Sequence, residues 1–272
     1  MKTFTLDGHA SSEWNIGLSG SGTYGAPARK GESISVSGRN GALWVDDGSF
    51  ENTIVTYPCW MCEDFDEEFD DFRAFLAAHG DKYYRLTDGY HTDEYRMARW
   101  LGPLDPDVST QNKSGSFNVQ FDCQPQRFLT SGETASNIPT DGSMLTLTNP
   151  TLFPALPIIE FDGELPTGLS TSVFGFYIRN TQHGDENIIG VGVAITDEYT
   201  GPFYFDAMTL VIYQDAGLTR PLYTAFDVYN SEDLHGDGVF RLMPGGNQVY
   251  VDTEISDGEL TVAKMYPRWW TV

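Results

Sequence analysis

Eight times along the chain an acidic or amide side chain is followed directly by glycine: Asp-Gly at Asp7, Asp47, Asp88, Asp141, Asp162, Asp237 and Asp257, and Asn-Gly at Asn40. Such pairs accept the positive φ angles of tight hairpin turns. A chain reversed this often has little room for long helices. Between the turns the apolar residues alternate. Phe117, Val119, Phe121 and Cys123 interleave with Asn118, Gln120 and Asp122, the pattern of a strand with one buried and one wet face. Ile34/Val36, Leu145/Leu147 and Val249/Val251 repeat it, while Ile188–Ile195 and Thr209–Tyr213 read as strands covered on both faces. The expectation is a mainly β protein.

One segment breaks the period. From 64 to 79, Phe65, Phe69, Phe72, Phe75 and Leu76 recur at helical spacing. Asp64, Asp66, Glu67 and Glu68 crowd the first turns, where the macrodipole favours carboxylates, and His79-Gly80 supply a stop. The acidic cluster therefore has a structural explanation, a well-capped amphipathic helix. The stretch 131–144 is polar, rich in Ser, Thr, Gly and Pro, and without period, so it reads as a linker. It would divide a first domain, 1–130, with the helix, from a second, 145–272, without one. A chain of 272 residues fits two such domains.

Charge narrows the partners. Sixteen basic residues against 39 acidic ones give −23, split as −9 up to Thr130 and −14 after it. Gripping phosphates needs clustered Lys and Arg, so stable binding to nucleic acid or to an anionic membrane is not expected. No stretch has the roughly 20 apolar residues of a membrane-crossing helix. The start, MKTFTLDGHA, lacks the apolar region of a secretory signal, so folding in a cytoplasm is expected.

The chemical motifs are weak. Gly20-Ser21-Gly22-Thr23-Tyr24-Gly25 matches a dinucleotide fingerprint as a string, but Pro27 follows and no helix opens there, so it reads as a flexible loop. Cys59-Trp60-Met61-Cys62 has CxxC spacing without a second ligand pair. A strand running into the acidic helix would raise a thiol pKa, so buried or half-buried free thiols are expected. The histidines (His9, His79, His91, His183, His235) are scattered. Carboxylate pairs such as Glu160 with Asp162 are too common to single out. Neither a catalytic residue nor a cofactor or metal site is expected.

Three patterns, in order, resemble the distal tail protein (Dit) family of long-tailed, siphovirus-type bacteriophages. Ser35–Trp44 (SVSGRNGALW) carries a hairpin reversal at Gly38-Arg39-Asn40-Gly41. Phe117–Phe128 (FNVQFDCQPQRF) is a strand ending at Cys123 and stopped by Pro125, which cannot donate to a ladder. The ending YPRWWTV contains Pro267-Arg268-Trp269-Trp270. Two weaker matches are TNPTLFPALPIIEFDG at 148–163 and the turn Pro244-Gly245-Gly246-Asn247, which is one glycine longer than usual. The Cys59/Cys62 pair fits no pattern of that family.

The resemblance implies an N-terminal split β-barrel with one helix and a C-terminal galectin-like β-sandwich. It implies a virion protein of the tail tip, assembled in the host cytoplasm. Six copies would form a ring around a DNA-wide channel, joining the major tail tube protein to the tail-tip hub and in some relatives to receptor-binding protein. A competing reading is a carbohydrate-binding adsorption module, with Tyr199, Phe203, Tyr204, Trp269 or Trp270 stacking on sugars. A cell-wall hydrolase would need two carboxylates across a groove, and nothing recommends one.

Overall fold

The computed structural model describes all residues except 21, 63–64, 110–112, 140–142, 164–171, 181–185, 195–201, 222–224, 230–239 and 255–259. Ser21, Asp64, Asp141, His183, Ile195, Tyr199, His235, Asp237 and Asp257, singled out above, lie outside the described residues. The chain divides into two compact units, one of residues 1–128 with Val272 and one of residues 129–271. The architecture is mainly β, with one α-helix among the described residues.

Unit 1 is built on β10 (Ser114–Cys123), whose alternation has a direct outcome. Phe117, Val119, Phe121 and Cys123 are buried, and the residues between them are not. Antiparallel to it runs β6 (Thr53–Met61), where Val55, Tyr57, Cys59 and Met61 point to the same side. The register Phe117↔Cys59, Val119↔Tyr57 and Phe121↔Val55 sets the two apolar rows face to face. Around this pair lie β1 (Phe4–Leu6), β2 (His9–Ala10), β3 (Ile16–Leu18), β7 (Tyr84–Asp88) and β8 (His91–Trp100), in the order β2-β1-β7-β8-β10-β6-β3. Helix α1 (Phe65–Ala78) closes the apolar side with Phe65, Phe69, Phe72 and Leu76. Phe69 meets Phe117 edge-on at 5.2 Å, and Phe4 meets both Tyr57 and Phe121 at 5.4 Å. The acidic first turn faces water, except that Glu68 accepts from Asn15 Nδ2 at 2.8 Å. The last turn is capped by His79, whose Nδ1 lies 2.7 Å from the Phe75 carbonyl.

Unit 2 holds two five-stranded sheets among the described residues. One runs β12 (Ser136–Asn137), β21 (Leu260–Tyr266), β14 (Ile158–Gly163), β17 (Phe203–Asp206), β18 (Val211–Tyr213). The other runs β13 (Leu145–Asn149), β20 (Gly245–Glu254), β15 (Ser172–Asn180), β16 (Glu186–Ala194), β19 (Ala225–Tyr229). Both feed one core. Ile159, Phe161, Phe203, Phe205 and Met265 come from the first sheet, and Leu147 and Val249 from the second.

Two local readings need amendment. Asp47-Gly48 does not reverse the chain, and Asp162-Gly163 lies at a register shift where β14 pairs β21. Gly48, at φ 81°, sits inside a strand where five residues, Asp46 to Phe50, span the partner's three, Arg29 to Gly31. The positive φ that suits a turn also suits a bulge, and only the partner strand decides between them. The stretch 131–144, read as a linker, contributes β12 to a sheet of unit 2 and buries Ile138 in its core.

Candidate assembly interface

Two strands of unit 1 stand apart from its sheet. Among the described residues β4 (Arg29–Ser35) and β5 (Ala42–Phe50) pair only with each other, and none of their residues is buried. Gly38 and Gly41, at φ 81° and 79°, make the reversal with Arg39 and Asn40 between them, and Arg39 N–H donates to the Val36 carbonyl at 3.2 Å. Only glycine takes these angles without steric cost. The register pairs Ile34 with Leu43, Ser33 with Trp44 and Glu32 with Val45. Directly opposed residues share a face. One face of the arm therefore carries Ile34, Leu43 and Val45, with Val36 just past the strand end, and the other carries Trp44. All five side chains are exposed. A lone hairpin is marginal in water. Arg29 braces this one: its Nη1 meets Asp46 at 2.7 Å and its guanidinium lies 4.7 Å over Phe50.

The root of the arm, by contrast, is held firmly. Tyr90 Oη donates to the Ser19 and Gly20 carbonyls at 3.1 and 3.2 Å. Thr23 Oγ1 donates to Asp88 Oδ2 at 3.3 Å, and the Arg127 guanidinium donates to the Thr23 and Gly25 carbonyls. The segment read as a flexible loop is thus tied at several points. The tying residues lie 65 to 104 positions away in the chain, so no local pattern announces them. Asp88 also accepts from Tyr57 Oη at 2.6 Å, and burial, with Asp88 beside it, pushes the Tyr57 hydroxyl well above its usual pKa.

The remaining singled-out residues are scattered over the two units. Cys123 is buried at the end of β10, and the strand stops two residues before Pro125. Pro244, Gly245 and Asn247 make the turn into β20. Asn247, with no exposed surface, accepts from the Met243 N–H at 2.9 Å and donates to the Met243 and Gly245 carbonyls at 2.8 and 2.9 Å. After Pro267, Arg268 adopts φ 57° and its Nη1 meets buried Asp206 at 2.7 Å. Trp269 is in the core of unit 2, its backbone so close to Gly132 that any Cβ there would collide. Trp270 stacks on Phe153 at 4.5 Å and its Nε1 donates to the Pro154 carbonyl at 2.8 Å. Phe203 is buried against Phe161 at 4.9 Å. Of the rings proposed for sugar stacking, then, Phe203 and Trp269 are core and Trp270 is packed down.

The thiols differ from one another. Cys59 and Cys123 are buried and Cys62 is exposed. Burial, rather than the acidic helix, pushes Cys59 and Cys123 up to about 12. Among the described residues no three His, Cys, Asp or Glu side chains are grouped to hold a metal, and no helix is long and apolar enough to cross a membrane.

No family model matches the sequence, and no curated protein does. The fold does have counterparts. The Dit protein (gp 19.1) of phage SPP1, described as a paradigm of the hub adsorption apparatus in phages infecting Gram-positive bacteria, superposes at a TM-score of 0.62. The match covers 97% of each chain at 11% identity. This chain has the Dit fold. Chains of the phage p2 baseplate in its activated conformation, with Sr and with Ca, align over 97% of both chains at 10% identity, with TM-scores of 0.45 and 0.46. At 11% identity to the SPP1 Dit protein most side chains differ, so what the two share is the path of the backbone through both units.

Proposed function

We propose that this chain is a structural distal tail protein of a siphovirus-type phage, without catalytic role. In this reading copies of it close into a hexameric ring at the end of the tail, joining the tube to the tail-tip hub around a channel for DNA. The observation that carries the reading is the arm. An isolated hairpin that leaves Ile34, Val36, Leu43 and Val45 in water is incomplete alone, and a second copy supplies the missing surface. Cyclic symmetry repeats that contact until the ring closes and no arm is left uncovered. Unit 1 then corresponds to the split barrel lining the channel, and unit 2 to a galectin-like sandwich outside it. The two five-stranded sheets of unit 2 sharing one core support this assignment.

The −9 carried by residues 1–130 suits a channel past which DNA slides without sticking. Partners in this reading are other copies, the tail tube protein, the hub protein and, in an elaborate tip, receptor-binding protein. Its place is the virion, after assembly in the host cytoplasm. Mass photometry of the purified chain, alone and with tube protein, tests the ring. Hexamers are expected, and Leu43→Ser with Trp44→Ser should reduce them to monomers whose melting temperature is unchanged. Rings that persist without those side chains would refute the arm's role.

A further inference from the structure

A ring cannot be closed by the arm alone. An arm that met another arm would pair one patch with itself and stop at a dimer, whereas a cyclic contact joins two unlike surfaces of the same chain. On the ring reading above, on which this inference rests, unit 1 must also carry a second surface that receives the arm.

The wet face of β6 and β10 has the chemistry for it. Charged residues make up 20% of the chain, and charge normally collects on exposed faces. Yet β6 has no charged residue, and β10 has only Asp122. Even that carboxylate is neutralised by Arg99, whose Nε lies at 2.9 Å, and it accepts from Tyr83 Oη at 2.9 Å. Thr56, Pro58 and Trp60 stand opposite Gln120, Asn118 and Ser116 on this face, and Ile54, opposite Asp122, is 60% exposed. Depletion of charge is what separates the centre of an interface from ordinary surface. The arm matches it: from Ser33 to Val45 its one charged residue is Arg39, at the tip. The exposed side of α1 offers no such seat, because Asp66, Glu67, Asp70 and Asp71 would be buried beneath the apolar row. Beside Ser116 the uncharged face ends at exposed Asp107, on the short strand β9 (Asp107–Ser109), a counter-charge for Arg39.

We propose that the arm of one copy lies on the wet face of β6 and β10 in the next, its apolar row over Pro58 and Asn118 and its tip reaching Asp107 through Arg39. β5 and β6 have nine residues each, about 30 Å of strand, so the hairpin can run the length of the face. Every copy then gives one arm and receives one, and no carboxylate of the seat is left buried without a partner.

Leu43→Cys with Asn118→Cys, in a Cys62→Ser background that removes the exposed native thiol, would be oxidised in the same samples, with tube protein present, in which mass photometry scores rings. Denaturing gels without reductant should show a ladder of covalent multimers up to the hexamer. Leu43→Cys alone, or combined with Asp71→Cys on the outer side of α1, should show none. Arg39→Glu should weaken ring assembly by about tenfold, and adding Asp107→Arg should restore it. Rings without the ladder, or a ladder from either control, overturn this seat and leave the ring reading standing. An Arg39→Glu defect that Asp107→Arg does not rescue overturns the placement of the tip. Wild-type chains that stay monomeric even with tube protein overturn both readings together.

Discussion

At position 247 an asparagine with no exposed surface does the work of a small piece of backbone, accepting one N–H and donating to two carbonyls of the turn before β20. Removing it leaves three buried polar groups unpaired, so Asn247→Ala should destabilise the protein by about 1–3 kcal/mol, read as a fall in the denaturant midpoint. The cysteines allow a second test. Cys62 alone should react with a thiol reagent in the native protein, and all three only after unfolding. Because burial raises the folded-state pKa of Cys59 and Cys123 to about 12, the native state keeps both protons while the unfolded chain, ionising near the ordinary thiol value of 9.0, loses them. Their contribution is thus fully present below about 9 and is lost as pH rises towards 12; Cys123→Ala should flatten that alkaline decline in stability. Such thiols could be anticipated as buried from the alternation around Cys123 and β6, but Cys62, one residue past the strand, could not. The anchors Asp88, Tyr90 and Arg127 were invisible in sequence for a different reason. Each looks like an ordinary surface polar residue until the fold brings a distant carbonyl or hydroxyl to it.

Among the elements, α1 was the most legible, since four of the five apolar positions at helical spacing are its buried ones and the fifth, Phe75, is half-buried. Phe72, with no exposed surface, touches Phe4, Trp14 and Phe117. Phe72→Ala should cost about 3–5 kcal/mol, whereas Asp71→Ala on the wet side should stay within about 0.5 kcal/mol; urea titrations of the two variants measure the contrast. The alternation of β10 was equally readable, because a half-buried strand writes its environment into every second residue. The arm shows where that logic ends. Ile34, Val36, Leu43 and Val45 have the spacing of a strand row that packs on a core, yet among the described residues all four stay exposed. Period reports that a face wants cover; it does not report which molecule provides it. Likewise Asp47-Gly48 carries the letters of a turn and lies in a bulge, because a dipeptide states which φ it tolerates and leaves the partner strand unstated.

For the whole molecule, two units with separate cores divide at residues 128 and 129, a few positions before the polar stretch that composition marks. Composition overshoots because Ile138 and the short strand β12 are enough to draw a Ser- and Thr-rich segment into unit 2. The acidic balance bears on the channel reading: purified rings should not retain duplex DNA on a filter even in dilute buffer, and tight retention would sink the idea that the lumen is passively negative.

A net charge of −23 makes every copy repel every other, while the arm offers each a greasy strip that gains only on contact. In the proposed ring, encounter rather than adhesion would then be the slow event. Screening lengths shrink from about 30 Å to about 10 Å between 0.01 and 0.1 M salt, so rings should close faster as ionic strength rises, opposite to the trend for partners of unlike sign. Stopped-flow light scattering would read the rate directly. Newly made copies would stay dispersed while dilute and condense where a tail already concentrates them, so that the arm's stickiness is spent at the growing particle instead of in solution.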